Sequence, residues 1–124
     1  MDIRTKATEY DMTPDTEDYL AQRLTALERF LGDKASTTRC EVELGRDAGG
    51  QRKGKNLYFA EIRMITPGEH DVFARNNSES VNGAIDDVKE EVEYQLRKRK
   101  RRGMYSARHI GASVKKWLRW GSRE

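Results

Sequence analysis

The sequence predicts an α+β fold, with a four-stranded mixed sheet and two helices on one of its faces. Three observations predict it. Two segments carry apolar stripes at helical spacing, four short segments alternate apolar with polar side chains, and Thr66-Pro67-Gly68-Glu69 supplies turn chemistry between the last two of those four. The resulting order is strand–helix–strand–strand–strand–helix.

Residues 2–8 alternate Ile3, Thr5 and Ala7 against charged neighbours, which reads as a short half-buried strand. Thr13 then offers an N-cap, Pro14 suits the first helical position, and Asp15 and Glu17 suit the first turn. Leu20, Leu24, Leu27 and Leu31 form one apolar face, widened by Phe30, and Gly32 is expected to end the helix as a left-handed cap. Residues 38–45 predict a second strand, with Cys40, Val42 and Leu44 on one face. A long basic loop, residues 45–56, leads to a third strand at about 57–66, with Tyr58, Ala60, Ile62 and Met64 on one side. A fourth strand at about 70–76 completes a hairpin.

Ser78 can cap the last helix, whose stripe is Val81, Ile85, Val88, Val92 and Leu96. Gly83 lowers helix propensity by about 1 kcal/mol, and close packing against the sheet is its expected reason. The apolar stripe stops at Leu96. The next inward position is Arg99, so the helix either ends there or projects beyond the body. The first helix is a crossover, which makes the first two strands parallel; the remaining connections are antiparallel. One stripe per helix places both helices on the same sheet face.

At 124 residues the chain has the length of one ordinary domain and needs no metal or disulfide to bury a core. Its net charge of +3 conceals a division. Residues 1–96 hold 13 basic and 20 acidic side chains, a net of −7; residues 97–124 hold 11 basic and 1 acidic, a net of +10. The division suggests a folded region at 1–102 and a basic, Trp-containing tail at 103–124. No apolar run approaches the roughly 20 residues that cross a bilayer, and Met1–Lys6 lacks the apolar centre of a signal peptide. Cys40 has no second cysteine to pair with, which fits a reducing, cytoplasmic setting.

The catalytic motifs are weak. Gly49 to Lys55 has the spacing of a phosphate-binding loop, but Asn56 replaces the hydroxyl that holds magnesium and a strand follows instead of a helix. A hairpin loop is the better reading, whose Arg46, Arg52, Lys53 and Lys55 remain candidates for phosphate contact. Cys40, in line with Val42 and Leu44, reads as core. His70 and His109 have no nearby ligand pattern, and no serine or cysteine sits in a nucleophile context. No enzyme activity, cofactor, metal or small-molecule substrate is expected.

The basic end is the strongest feature. Arg97, Lys98, Arg99, Lys100, Arg101 and Arg102 are consecutive, a charge density best relieved by polyanion phosphates. Beyond them Tyr105, Trp117 and Trp120 are interleaved with Arg108, Lys115, Lys116 and Arg119, a pattern suited to stacking on unpaired bases. Ile110, Val114, Trp117 and Leu118 also fall at helical spacing, which suits docking on a protein equally well; an anionic membrane surface is a weaker third option.

Several ordered strings resemble the ribosome hibernation-promoting factor family, which includes ribosome-associated inhibitor A and was once called sigma-54 modulation protein. They are Thr13-Pro14, Arg23-Leu24, Leu27-Glu28-Arg29-Phe30, Phe59-Ala60-Glu61, Thr66-Pro67-Gly68, Ala84-Ile85-Asp86 and Gln95-Leu96-Arg97-Lys98, spread over about residues 1–102. The resemblance implies a double-stranded-RNA-binding-like β-α-β-β-β-α fold. It implies binding to the small ribosomal subunit and its rRNA, in the mRNA–tRNA channel, to block translation and preserve idle ribosomes in stress or stationary phase. Carried onto this chain, the rRNA contacts would be Arg23, Arg29 and Lys98 with its basic neighbours through Arg102. The chain departs from the family at Ala26, Glu91 and Tyr94, where basic residues often stand, and in length it resembles the short class. The working expectation is a non-enzymatic hibernation factor contacting rRNA through Arg23, Arg29, Arg97–Arg102 and, in the tail, Arg108, Lys115, Lys116, Trp117 and Trp120. The alternatives are a protein-interaction module that modulates transcription and a generic duplex-RNA binder, and the tail has a possible protein partner of its own.

Overall fold

The computed structural model describes residues 1–47 and 57–119, with side chains described up to Arg102. The elements are β1 (Asp2–Thr8), α1 (Pro14–Glu28), a short 3-10 segment (Gly32–Thr37), β2 (Arg39–Arg46), β3 (Tyr58–Ile65), β4 (Val72–Ser78) and α2 (Val81–Arg119). The sheet order is β1-β2-β3-β4. β1 runs parallel to β2, as the helical crossover requires, and the other two pairings are antiparallel. This is the predicted fold class and element order.

The core lies between one sheet face and the two helices. The sheet contributes Cys40, Val42, Leu44, Ala60, Ile62, Met64, Val72 and Ala74, α1 contributes Leu20, Leu24 and Leu27, the turn after it Leu31, and α2 Val81, Ile85, Val88, Val92 and Leu96; all are buried, and Phe30 is partly so. The pairing explains the common face: Cys40 stands opposite Met64, Val42 opposite Ile62 and Leu44 opposite Ala60. Thr13 caps α1 as expected, its Oγ1 accepting a hydrogen bond from the Thr16 amide at 3.2 Å.

Four local expectations are corrected. β1 is exposed from Asp2 to Ala7 instead of half-buried. Ile3 pairs with Cys40 yet is 42% exposed, because β1 is an edge strand outside the cover of the helices. α1 ends at Glu28, before Gly32; Phe30 and Leu31 donate to the carbonyls of Leu27 and Glu28 in a tight turn, and Gly32, at φ +58, opens the 3-10 segment. β4 starts at Val72 and extends to Ser78, because Asn76, Asn77 and Ser78 continue pairing with Ala60, Phe59 and Tyr58. The cap of α2 therefore passes from Ser78 to Ser80, whose Oγ accepts from the Gly83 amide at 3.0 Å.

Gly83 does sit in a close approach, against the end of β4: a Cβ there would lie 2.4 Å from the Ser78 hydroxyl. The other edge strand, β4, is covered by a side chain. The Gln95 carboxamide accepts from the Phe73 N–H at 3.2 Å and donates to the Phe73 carbonyl at 2.8 Å, imitating a neighbouring strand. On the open sheet face, the Phe59 ring lies over Gly45 and the Arg75 guanidinium over that ring at 3.9 Å.

Candidate nucleic-acid interface

α2 does not end where its apolar stripe ends. The helix backbone continues from Val81 to Arg119, 39 residues in all. At 1.5 Å per residue, the part after Leu96 extends for about 35 Å. Arg97, Lys98, Lys100, Arg101 and Arg102 are all exposed on its first turns. Among the described residues, none engages Lys98, Lys100, Arg101 or Arg102 in an ion pair, and Arg97 makes one loose pair with Glu93 at 3.6 Å. These five side chains form a basic cuff with cations pointing into solvent.

Arg99 differs from its neighbours. It occupies the next inward position of the stripe and is only 15% exposed. Its guanidinium donates to the His70 carbonyl at 2.8 Å and lies 3.8 Å from the Glu69 carboxylate. Glu69 also accepts from the Lys34 ammonium at 2.7 Å. The Lys34 hydrogen bond first, and the Arg99 charge after it, hold the Glu69 carboxyl below the usual carboxylate range. Arg99 thus ties the long helix to the β3–β4 turn. A surface groove of about 520 Å³ lies alongside this tie, with Lys98 and Arg102 on one wall and His70 and Asp71 on the other.

The two α1 residues have different surroundings again. Arg23 stacks over the Tyr19 ring at 4.7 Å, donates to the Tyr19 hydroxyl at 2.8 Å, and lies 3.1 Å from the Asp86 carboxylate of α2. Tyr19 donates to the same carboxylate. Arg23 is therefore a tie between helices whose charge is matched locally. Arg29 is exposed beyond the end of α1, over the Phe30 ring at 4.8 Å. Its charge reaches Glu93, whose carboxyl is held low by the Lys89 hydrogen bond first and by Arg97 and Arg29 as well. Arg23 contacts Asp86, and the charge of Arg29 acts on Glu93, seven residues further along α2, so α1 and α2 run in the same direction. The end of α1 therefore lies beside the middle of α2, near Glu93, which brings Arg29 towards the start of the basic cuff and leaves Arg23 about two turns away.

The described structure therefore groups Arg29, Arg97, Lys98, Lys100, Arg101 and Arg102 at one end, with Arg99 turned inward and Arg23 set apart. The side chains of Arg108, Lys115, Lys116 and Trp117, all of Trp120, and loop residues 48–56 lie outside the described residues. Sequence reasoning missed the Gln95 cover on β4; an amide at a helix position facing an edge strand was its only signal. The solvent face of α2 before the cuff is acidic, with Asp87, Glu90 and Glu91 exposed. Among the described residues there is no group of three potential metal ligands and no helix long and apolar enough to cross a membrane. Cys40 is fully buried, and burial first, then the charge of Glu41, pushes its thiol up to about 12.

Known proteins share this architecture. The N-terminal domain of Protein Y from Thermus thermophilus superposes with a TM-score of 0.63 at 24% identity, over 79% of this chain and 98% of that one. A ribosomal subunit interface protein from Coxiella burnetii superposes with a TM-score of 0.60 at 17% identity, over 79% and 96%. No curated protein sequence matches the chain. A sequence model of one family, sigma 54 modulation protein / S30EA ribosomal protein, matches residues 3–103, from β1 through the whole cuff. The chain belongs to that family.

Proposed function

We propose that this protein is a ribosome-associated hibernation factor. It binds the small subunit through rRNA phosphates and blocks the mRNA–tRNA channel by filling it, without catalysis. The observation that carries this is the cuff: five exposed cationic side chains on one stretch of helix, beside Arg29, in a fold whose family is ribosome-associated. Four of the five have no ion-pair partner among the described residues and Arg97 has only a loose one; such cations gain most from phosphate, and contacts of this kind fix position without reading sequence. Arg29 adds a contact at the same end. Arg99 holds the helix against the hairpin turn, and Arg23 positions α1 against α2.

The proposed setting is the cytoplasm under stress or in stationary phase, when idle ribosomes need protection. The helix beyond Arg102 extends the same contact or meets a protein partner.

The test is co-sedimentation with small subunits at low and high salt. It compares the wild type with a variant carrying Gln at positions 97, 98, 100, 101 and 102 and keeping Arg99. The wild type is expected to bind in a salt-dependent way, to compete with tRNA and mRNA, and to lose most binding in the variant. Undiminished binding by the variant overturns this assignment of the contacts.

A further inference from the structure

The solvent face of α2 carries a charge pattern that reads as its own complement. Tyr94 stands at the centre, 45% exposed and one of the three large hydrophobic side chains exposed among the described residues. Three and four residues before it are Glu91 and Glu90; three and four residues after it are Arg97 and Lys98. Seven residues before it is Asp87, and seven after it is Arg101. All seven side chains are exposed. Steps of three, four and seven keep to one helix face, so these residues share a stripe. It is acidic on one side of Tyr94 and basic on the other.

We infer that this face pairs with the same face of a second copy of the chain, antiparallel, about a twofold axis through Tyr94. A twofold interface must be self-complementary: if residue i meets residue j, then j meets i. Antiparallel helices centred on Tyr94 satisfy this at every step. Glu91 meets Arg97 of the other copy, Glu90 meets Lys98 and Asp87 meets Arg101, each twice. The two Tyr94 rings meet on the axis and bury apolar surface against each other.

A parallel pairing would instead set like charges against each other along its whole length. Asp87, Glu90, Lys98 and Arg101 have no ion-pair partner within their own chain among the described residues, so only the loose Arg97–Glu93 pair at 3.6 Å and the Gln95–Glu91 hydrogen bond at 3.0 Å compete with the pairing. Four turns of one helix bury less area than a stable dimer needs, so the pairing is a weak, salt-sensitive one. It also covers Arg97, Lys98 and Arg101, three residues of the cuff. Self-pairing and phosphate binding therefore exclude each other, which gives the free protein a way to screen its cations when no RNA is present. The inference rests on the charge pattern and stands whether or not the RNA is ribosomal.

The experiment is sedimentation equilibrium of the full chain over a range of concentrations, at about 50 mM and about 500 mM salt, where the Debye length falls several-fold. The wild type is expected to rise from 14.3 kDa towards twice that mass at low salt and to remain single at high salt. Two charge reversals, E90K/E91K and R97E/K98E, are each expected to stay single alone. Mixed together they should pair, because each then supplies what the other lacks. Both reversals in one chain should restore self-pairing, and Tyr94→Lys should weaken it. A short duplex RNA should return the wild-type pair to single chains. A wild type that stays single at low salt at every concentration overturns the inference. So does a mixture of the two reversals that fails to pair, or self-association that survives E90K/E91K alone.

Discussion

Lys98 and Arg99 are adjacent and chemically alike, but α2 turns them in different directions. Lys98 faces solvent, whereas Arg99 folds onto the β3–β4 turn, with its donors on His70 and its charge beside Glu69. Arg99→Ala is expected to cost about 1 kcal/mol of stability, read as a fall in the urea midpoint. Lys98→Ala should change stability by less than about 0.5 kcal/mol and weaken ribosome binding instead. The Glu69 neighbourhood also predicts a pH dependence. Its carboxyl titrates lower in the folded protein than in the unfolded chain, so its contribution is present at neutral pH. That contribution is lost as pH falls through the carboxylate range. The difference in thermal midpoint between wild type and Lys34→Met should therefore shrink from pH 7 towards pH 3. Cys40 gives a further readout. With its thiol buried and pushed up to about 12, it should resist alkylation in the native protein and react at a rate that follows global unfolding.

At the scale of elements, two close approaches set how the sheet and α2 fit. A methyl group on Gly45 would lie 2.4 Å from the Thr8 carbonyl oxygen and 2.7 Å from the Phe59 ring. Gly45→Ala must displace either backbone or a packed aromatic, and is expected to cost about 1–3 kcal/mol by chemical denaturation. Gly83 differs because its obstacle is the Ser78 hydroxyl, a side chain that can be removed. Gly83→Ala combined with Ser78→Ala should recover much of what Gly83→Ala alone loses, and Ser80→Ala should cost about 1 kcal/mol through the lost cap.

For the whole molecule, the net charge of +3 predicts little, whereas the division into −7 and +10 predicts an oriented particle. On a phosphate surface the acidic body is expected to face away and the cuff to face towards it. If each exposed cation of the cuff meets one phosphate, replacing all five should lower the slope of log affinity against log salt by about four to five. Neutralising Arg23 and Asp86 together should leave that slope unchanged, because Arg23 already has its counter-charge in Asp86.

Most of the fold was legible in the chain because periodicity is local. Alternation and three-to-four-residue steps name each strand and helix and the face each buries, and even mark Arg99 as the next inward position. The charge division, and hence the end proposed to meet a polyanion, is likewise a property of the sequence alone. What only the tertiary structure decided is which partner each side chain finds. β1 alternates like β2, yet its Ile3 is uncovered because the strand lies at the sheet edge. Ser78 and Ser80 both look like caps, and the length of strand pairing chose between them. Arg23 lies on α1 and Arg29 just past its end, but only Arg29 stands near the cuff, because the direction of α2 relative to α1 put Asp86 opposite the one and Glu93 near the other. A side chain's type and face are written along the chain; its counter-charge comes from a residue distant in sequence, and only folding brings the two together.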